Sequence, residues 1–149
     1  EQLSMAEFRE TFEGKFWVQM AVAHAGARRV KKGGSITLIS GGAAHRALPG
    51  MANVAAVNGA IEAVLPGLAR ELAPTRVNAV SPGTLDTGYW RGTPDDTLRA
   101  IFDRTAQALP AGRVGSSEDI ARAILFLVES PFVTGTVVQV DGGLTHSSL

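Results

Sequence analysis

Residues 76–83 read Arg-Val-Asn-Ala-Val-Ser-Pro-Gly, and this stretch decides the fold. Its first five residues predict a short β-strand, and the Ser-Pro-Gly that follows ends the strand and opens a loop to about Gly92. Upstream, Ser35–Ser40 is a β-branched run without alternation, which indicates a strand buried on both faces. Downstream, Thr136–Val140 predicts a third strand.

Helical segments separate these strands. Their apolar residues recur at near-helical spacing, and Ser4 and Glu7 predict a capping box at the first helix start. Pro66-Gly67 predicts a kink in the second helix. Because parallel strands need crossover connections, this order predicts an α/β fold, a doubly wound parallel sheet with helices on both faces. The predicted helices run from about Met5 to Arg29, from about Asn53 to Leu72, from Thr93-Pro94 to about Leu109-Pro110, and from Ser116-Ser117 onward.

The composition limits the class of protein. The chain has 149 residues, of which 45% are hydrophobic, so it forms one domain or part of one, with enough apolar material for a core. The formal net charge of 0 argues against nucleic acid as a partner, and no apolar run approaches the ~20 residues that span a bilayer. The absence of Cys excludes a disulfide framework, and three His without ligand spacing predict no metal site.

The first half of the expected fold has no counterpart in the sequence. Three strands make a narrow sheet for a doubly wound fold. The strand-turn-helix with the pattern G-x-G-x-x-G, which cradles a dinucleotide phosphate, does not occur. We therefore expect residues 1–149 to be the C-terminal part of one domain, whose first half is supplied by another segment or by a longer chain.

Four segments, taken together, resemble the short-chain dehydrogenase/reductase family in their order and spacing. The resemblance covers nearly all 149 residues. It implies a Rossmann-like fold, a nicotinamide cofactor (NAD or NADP), a small-molecule carbonyl or alcohol substrate, and a homo-dimer or homo-tetramer. The absence of Cys is compatible with the cytoplasmic location that we expect. The segments are 34–40 (GSITLIS), 70–83 (RELAPTRVNAVSPG), 112–121 (GRVGSSEDIA) and 134–143 (TGTVVQVDGG).

The resemblance also implies catalytic positions, and each holds a different residue here. The family uses a Tyr as proton donor to a substrate carbonyl, a Lys four residues later, and an upstream Ser that orients the carbonyl. The Tyr position falls on Val54, the Lys position on Asn58, and the Ser position on Gly41, with Ser40 one residue earlier. The helix Asn of the family's proton relay falls on Lys15. The catalytic candidates are therefore Ser40, Asn58 and Lys15, and the catalytic residues are altered.

Each candidate has two interpretations. Ser40 either orients a carbonyl or satisfies the backbone at a strand end. Asn58 either binds a ribose hydroxyl or is an ordinary helix residue near the site. Lys15 either reaches into the site as a cation or lies over apolar neighbours such as Phe16. His45, in the loop after the first strand, is either a replacement acid or a solvated surface group.

The loop after residues 76–80 keeps more of the family pattern. Pro82-Gly83-x-x-x-Thr87 resembles the segment that lies against the nicotinamide, where a glycine permits close approach. It follows the carboxyl end of a parallel strand, where ligands of such sheets bind, although an ordinary turn is the alternative. Tyr89-Trp90 forms either a lid over the substrate or a packed aromatic pair. The predicted cofactor-binding residues are Pro82, Gly83, Thr84, Leu85 and Thr87.

Three functions are compatible with these observations. The first is an NAD(P)-dependent oxidoreductase with altered catalytic residues, the second a dinucleotide-binding protein without activity, and the third an assembly half without the phosphate-binding unit. The resemblance implies one dimer interface made by the first two helices and a second at the last strand, which together generate a tetramer. The residues compatible with the helical interface are Phe8, Phe12, Phe16, Trp17, Met20, Ala55, Ala56, Gly59, Ala60 and Ala63.

Overall fold

The computed structural model of the protein describes residues 4–46 and 49–147. Within these ranges three strands form one parallel sheet in the order β1-β2-β3, with β2 in the centre. The strands are β1 (Ser35–Ile39), β2 (Arg76–Pro82) and β3 (Val137–Val140). Because helices separate the strands, the predicted α/β fold with a parallel sheet is confirmed.

Helices make the connections between the strands. One helical group precedes β1, a second lies between β1 and β2, and a third lies between β2 and β3. Because all three strands are parallel, their carboxyl ends meet at one edge of the sheet. Within the described ranges the helices are α1 (Met5–Thr11), a π-helical segment (Phe12–Trp17), α2 (Val18–Ala27), α3 (Ala52–Ala63), α4 (Leu65–Glu71), α5 (Asp95–Ala108) and α6 (Ser117–Glu129).

The first helical group begins as predicted and ends earlier. Ser4 Oγ accepts a hydrogen bond from the Glu7 N–H at 3.2 Å, and the Ser4 N–H donates to the Glu7 carboxylate at 2.6 Å, so the capping box is confirmed. The last helix of the group ends two residues before the approximate predicted end, because α2 ends at Ala27 and the Arg29 N–H turns back to the Gly26 carbonyl.

Two helices, α3 and α4, replace the single helix predicted from Asn53 to Leu72. Pro66 lies in the first turn of α4, where its missing N–H breaks no hydrogen bond, so the predicted kink is confirmed. Together, Ala52–Glu71 is long and apolar enough to cross a membrane by length and composition alone, which the search for apolar runs did not anticipate. Within this segment Ile61 and Leu65 are completely buried and belong to the core.

The central strand β2 extends two residues beyond its predicted end. Ser81 and Pro82 pair with Gln139 and Val140 of β3. The contact continues into the loop, because the Gly83 N–H donates to the Val140 carbonyl at 3.1 Å. The loop that follows is therefore fixed against β3 at its first residue.

The helices between β2 and β3 begin differently from each other. Thr93 does not cap α5, because the helix begins at Asp95 with Pro94 as its N-cap residue. The start of α6 agrees with the prediction and has a capping box, in which the Ser116 N–H donates to the Asp119 carboxylate at 2.8 Å.

The core lies between the sheet and the helices α2, α3 and α4. Leu38 of β1 and Val77 and Ala79 of β2 pack with Ile61 and Leu65. These side chains are 4% exposed or less, so the face of the sheet that carries them is dry. Packing against this buried face of the sheet fixes the position of α3 beside the end of β1. The candidate site lies at that end of β1.

Candidate functional site

The π-helical segment lies beside the end of β1 and contributes the first site residue. A π turn inserts an extra residue into a helix and changes the direction of later side chains, and such turns are frequent at functional sites. Lys15 lies in this segment, and its Nζ donates to the Ser40 carbonyl at 2.7 Å and to Asn58 Oδ1 at 2.6 Å. One turn later, Gln19 pairs with the N–H of Ile39 at 2.7 Å and with its carbonyl at 3.0 Å. Lys15 therefore joins the end of β1 to α3.

Neutral oxygens hold the Lys15 ammonium. Burial lowers its pKa from the ordinary value of 10.5, and the ion pairs found in the described ranges do not include it. An ammonium has three N–H donors, and the two hydrogen bonds above use two of them. This geometry supports the interpretation of Lys15 as a cation of the site and disfavours that of a side chain lying over Phe16.

Asn58 and Gly41 are in direct contact. Asn58 is 2% exposed and lies in α3, one turn after Val54. A Cβ added to Gly41 would lie 2.9 Å from Asn58 Nδ2, closer than real Cβ atoms approach. Val54, at the family's Tyr position, has only methyl groups at its end and donates no proton. Positions 41, 54 and 58 therefore hold an amide and no hydroxyl.

Ser40 belongs to a second set of hydrogen bonds that turns away from Lys15. Its Oγ donates to Glu62 Oε1 at 2.7 Å, and the other carboxylate oxygen of Glu62 lies 2.7 Å from His45 Nε2. The Ser40 hydroxyl is thus engaged within the protein, and His45 contacts a carboxylate. Sequence reasoning missed Glu62, although it lies four residues after Asn58 and therefore on the same helix face.

The loop after β2 is fixed by β3 and by the segment before α6. A Cβ on Gly83 would lie 2.7 Å from the Asp141 Cα, so the backbone of Asp141 requires the glycine. This reason differs from the expected approach of a nicotinamide. Further along, the Thr84 carbonyl accepts from the Gly115 N–H at 2.9 Å, and the Asp86 N–H donates to the Gly115 carbonyl at 2.8 Å.

The same loop has backbone donors to offer a ligand. In the described part of the chain, the N–H groups of Thr84, Leu85 and Thr87 make no hydrogen bond. The Thr87 hydroxyl is used by the fold, because it accepts from the Tyr89 N–H at 3.4 Å. The role of Thr87 in cofactor binding stays a prediction, and its hydroxyl caps the short helical turn that follows.

Tyr89 and Trp90 have different surroundings. The ring of Trp90 packs edge-on against Phe102 of α5 with centroids 5.6 Å apart, and its Nε1 donates to the Leu85 carbonyl at 2.8 Å. Tyr89 is 81% exposed. Trp90 therefore fits the interpretation as a packed aromatic residue and holds the loop to α5, whereas Tyr89 faces solvent.

A cavity of about 260 Å³ opens beside the end of β3. Thr84, Gln139 and Asp141 line it together with the ion pair of Arg113 and Asp119, whose two hydrogen bonds measure 2.7 and 2.8 Å. Hydrogen bonds from Arg113 and from the Ser116 backbone hold the pKa of Asp119 well below its usual range. Thr84 is the predicted cofactor residue that lines this cavity.

The structure brings the predicted catalytic candidates together and places the predicted cofactor loop beside them. Lys15, Ser40 and Asn58 meet at the end of β1, and Pro82–Thr87 follows the end of the neighbouring β2. Ser40 connects the two strands, because its N–H donates to the Val80 carbonyl at 2.9 Å. Among residues 4–46 and 49–147, no group of three His, Cys, Asp or Glu side chains could hold a metal ion.

Known proteins are similar to this chain in both fold and sequence. A family model described as Enoyl-(Acyl carrier protein) reductase matches residues 1–145. Short-chain dehydrogenase/reductase malC from Malbranchea aurantiaca is 36% identical over 110 residues, which cover 74% of this chain and 42% of that protein. Carbonyl reductase family member 4 from Xenopus tropicalis is 35% identical over 116 residues, covering 76% and 46%. A small-chain dehydrogenase crystallised in complex with NADPH superposes with a TM-score of 0.93 at 43% identity, covering 97% of this chain and 66% of that one.

The chain belongs to the short-chain dehydrogenase/reductase family. The resemblance seen in the sequence is therefore confirmed, and so is the Rossmann-like fold. The chain spans about half the length of the curated relatives that it matches. It corresponds to the C-terminal part of a protein of this family.

Proposed function

We propose that the protein carrying this chain is an NAD(P)-dependent oxidoreductase that interconverts a carbonyl and an alcohol with altered catalytic residues. Family membership supports the class of reaction. The related structure crystallised with NADPH supports the cofactor, and the carbonyl reductase among the relatives supports a small carbonyl substrate. The substrate and the cofactor would meet at the carboxyl ends of β1 and β2.

The loop after β2 fits the carboxamide of a nicotinamide. The N–H groups of Thr84, Leu85 and Thr87 have no partner in the described ranges, and a carboxamide oxygen accepts such hydrogen bonds. The loop also follows the carboxyl end of the central strand, where ligands of these sheets bind. When bound, the nicotinamide gives a hydride to the substrate or takes one from it.

The half-buried ammonium of Lys15, held by neutral oxygens, is the observation that carries the proposal. Its Nζ bonds to the Ser40 carbonyl and to Asn58 Oδ1, and no described carboxylate forms an ion pair with it. Burying a charge without a counter-charge is costly, so its presence indicates a use. A carbonyl oxygen gains negative charge as the hydride reaches its carbon, and a fixed positive charge nearby stabilises that oxygen.

Activity of the full-length protein tests the proposal. A panel of aldehydes, ketones and 3-oxo esters is offered with NADH and NADPH, and the corresponding alcohols with NAD and NADP, while the absorbance of reduced nicotinamide is followed. We expect turnover of at least one pair, and Lys15→Met should lower kcat/KM by about 10²-fold. The exposed Lys31→Met is the matched control and should retain full activity. Absence of turnover with the whole panel would contradict the proposal.

A dinucleotide-binding protein without activity is the second candidate. Val54 favours it, because a methyl-bearing side chain stands where the family's proton donor stands. Calorimetric titration of the full-length protein with NADPH and NADH separates the candidates. Binding without turnover of the panel would support this second function, whereas absence of binding would exclude both and leave a role in assembly.

The predicted homo-dimer or homo-tetramer is part of the proposal. Several apolar side chains of the first helical group are at least half exposed, and the small residues of α3 leave an open helix face. Gly59 has no atom within 4 Å of the place where its Cβ would stand. Such a face lets a second helix approach closely. The exposed apolar residues of the first group are Met5, Trp17, Val18 and Val22.

A further inference from the structure

Position 41 holds a different residue from the one that the family pattern has there. The resemblance puts a Ser there, and this chain has Gly41. A Cβ on residue 41 would lie 2.9 Å from Asn58 Nδ2 and 3.4 Å from Asn58 Cγ. The amide of Asn58 therefore occupies the space into which a side chain at position 41 would project.

Lys15 determines which end of that amide faces position 41. An ammonium donates hydrogen bonds and accepts none, so the atom of Asn58 that lies 2.6 Å from Lys15 Nζ has to be the oxygen. The amide nitrogen is then the end of the amide nearest to position 41, because a Cβ there would lie 2.9 Å from Nδ2 and 3.5 Å from Oδ1. The orientation of the Asn58 amide thus follows from the chemistry of its partner.

The Asn58 nitrogen has hydrogen atoms to give and no internal partner. In the described ranges it makes no hydrogen bond, and it is not among the fully buried polar atoms without a partner, so Nδ2 reaches the surface of the site. The fully buried atoms without a partner are Thr37 Oγ1, Arg76 Nε and Ser81 Oγ.

Neighbouring groups cannot perform the same task. The Ser40 hydroxyl donates to Glu62 at 2.7 Å, and Val54 has no polar atom. The Lys15 ammonium is held by the Ser40 carbonyl and by the oxygen end of the Asn58 amide. Among the side chains at positions 40, 54 and 58 in the described part of the chain, Asn58 is the one with unused N–H groups, and its amide lies against position 41.

We propose that Asn58 Nδ2, oriented by Lys15, is the hydrogen-bond donor to the substrate oxygen, in the place of a side chain at position 41. This inference rests on the proposed oxidoreductase function. It explains why three positions differ from the family pattern together: Gly41 makes room, Asn58 supplies the donor, and Lys15 fixes its direction. The ammonium also polarises the amide, which makes its N–H a better donor.

Exchange of the donor between the two positions tests this proposal. Four forms of the full-length protein are compared: wild type, Asn58→Ala, Gly41→Ser and the double variant Gly41→Ser/Asn58→Ala. Asn53→Ala, on the same helix but bonded to Thr11 Oγ1 at 2.8 Å, is the matched control. The readouts are kcat and KM on the best substrate of the carbonyl panel, the affinity for NADPH, and circular dichroism as a check of folding.

We expect Asn58→Ala to lower kcat by about 10²- to 10³-fold with a smaller change in KM, because a donor that acts in the transition state is lost. Gly41→Ser should also lose activity, since its Cβ meets the Asn58 amide. In the double variant the space is free and the hydroxyl supplies a donor, so kcat should exceed that of Asn58→Ala by about tenfold or more. Asn53→Ala should behave as wild type.

A double variant no more active than Asn58→Ala would overturn the proposal, as would an Asn58→Ala protein with unchanged kcat. Should Gly41→Ser alone fail to fold, the comparison of the double variant with Asn58→Ala decides the question without it. A wild type that binds NADPH but turns over no substrate rejects both this role and the proposed reaction. A wild type that turns over substrate while the double variant gains nothing rejects this role alone.

Discussion

Lys15 binds its proton less tightly in the folded protein than in the unfolded chain, because burial lowers its pKa below the ordinary 10.5. Between the lowered pKa and 10.5 the unfolded chain holds more protons, so the Lys15 contribution to the free energy of unfolding rises with pH across that interval. Below the lowered pKa both states are protonated and the contribution is constant. Urea unfolding between about pH 8 and about pH 11 should show this rise in the wild type and lose it in Lys15→Met.

The exposed Lys31 provides the control for this measurement. Lys31→Met removes one ammonium as well, but from the surface, so the rise with pH should persist in that variant. Equal pH dependence of Lys15→Met and wild type would show that the Lys15 ammonium is hydrated in the folded state.

Gly83 is a glycine because the fold leaves no room for a side chain. Its Cβ would lie 2.7 Å from the Asp141 Cα and 2.8 Å from the Asp141 carbonyl oxygen, and backbone cannot move aside cheaply. We expect Gly83→Ala to lower the free energy of unfolding by about 1–3 kcal/mol. Gly67→Ala in α4 has no atom within 4 Å of the new Cβ and should raise it by about 1 kcal/mol. Denaturant curves in which both variants shift in the same direction would contradict this account.

For single residues, the sequence predicts the candidates for the site but not the contacts that their side chains make. Lys15, Ser40 and Asn58 are candidates from the family positions alone, and the structure places them together. The direction of the Lys15 side chain is not predictable, because Lys15 lies in a π-helical turn that a spacing of 3.6 residues does not reveal. Glu62 is missed because its contacts with Ser40 and His45 depend on how the loop after β1 folds back over α3.

Among the elements, β2 and α6 are held together by one buried guanidinium. Arg76 is 8% exposed and donates to the carbonyls of Leu127 at 2.6 Å, Val128 at 2.9 Å and Val133 at 3.2 Å. These carbonyls include the negative end of the α6 dipole. Arg76→Met should lower the free energy of unfolding by about 2–4 kcal/mol, measured by urea denaturation, because charged hydrogen bonds are lost and buried carbonyls lose their donors.

Arg99 of α5 is the matched control for Arg76. Its ion pair with Asp96 measures 4.0 Å between fully or largely exposed side chains. Such surface pairs contribute little, so Arg99→Met should change the free energy of unfolding by less than about 0.5 kcal/mol. Similar losses in both variants would mean that the contacts of Arg76 with α6 are not what stabilises this element.

The ends of the elements are less predictable than the elements themselves. Pro82 marks the end of a strand in any pattern, because it lacks an N–H. In the structure it is the last residue of β2, where the next donor, Gly83, restores the ladder by bonding to Val140. The end of the first helical group shifts for a similar reason, since the backbone bond from Arg29 to Gly26 depends on the turn into β1.

For the whole molecule, topology is the most predictable property. Parallel strands joined by helices leave few possible arrangements, and the order β1-β2-β3 is one of them. The missing phosphate-binding pattern predicts half of a doubly wound fold, and the chain indeed spans about half the length of its curated relatives. The oligomeric state is less predictable, because association depends on how the surfaces of two copies fit together. A sequence pattern within one chain does not specify that fit.

The proposed helical dimer interface makes a prediction about mass. Ala56, Gly59 and Ala60 form a face of small residues on α3, and Gly59 has open space beside it. Close packing of this face against its copy leaves no space for a long cation, so Ala60→Arg should split the assembly of the full-length protein. Sedimentation at micromolar concentration should show at least a dimer for the wild type and half that mass or less for this variant. Ala100→Arg, on the exposed face of α5, places the same charge elsewhere and should keep the wild-type mass. If Ala60→Arg sediments as the wild type does, this face of α3 lies outside the interface.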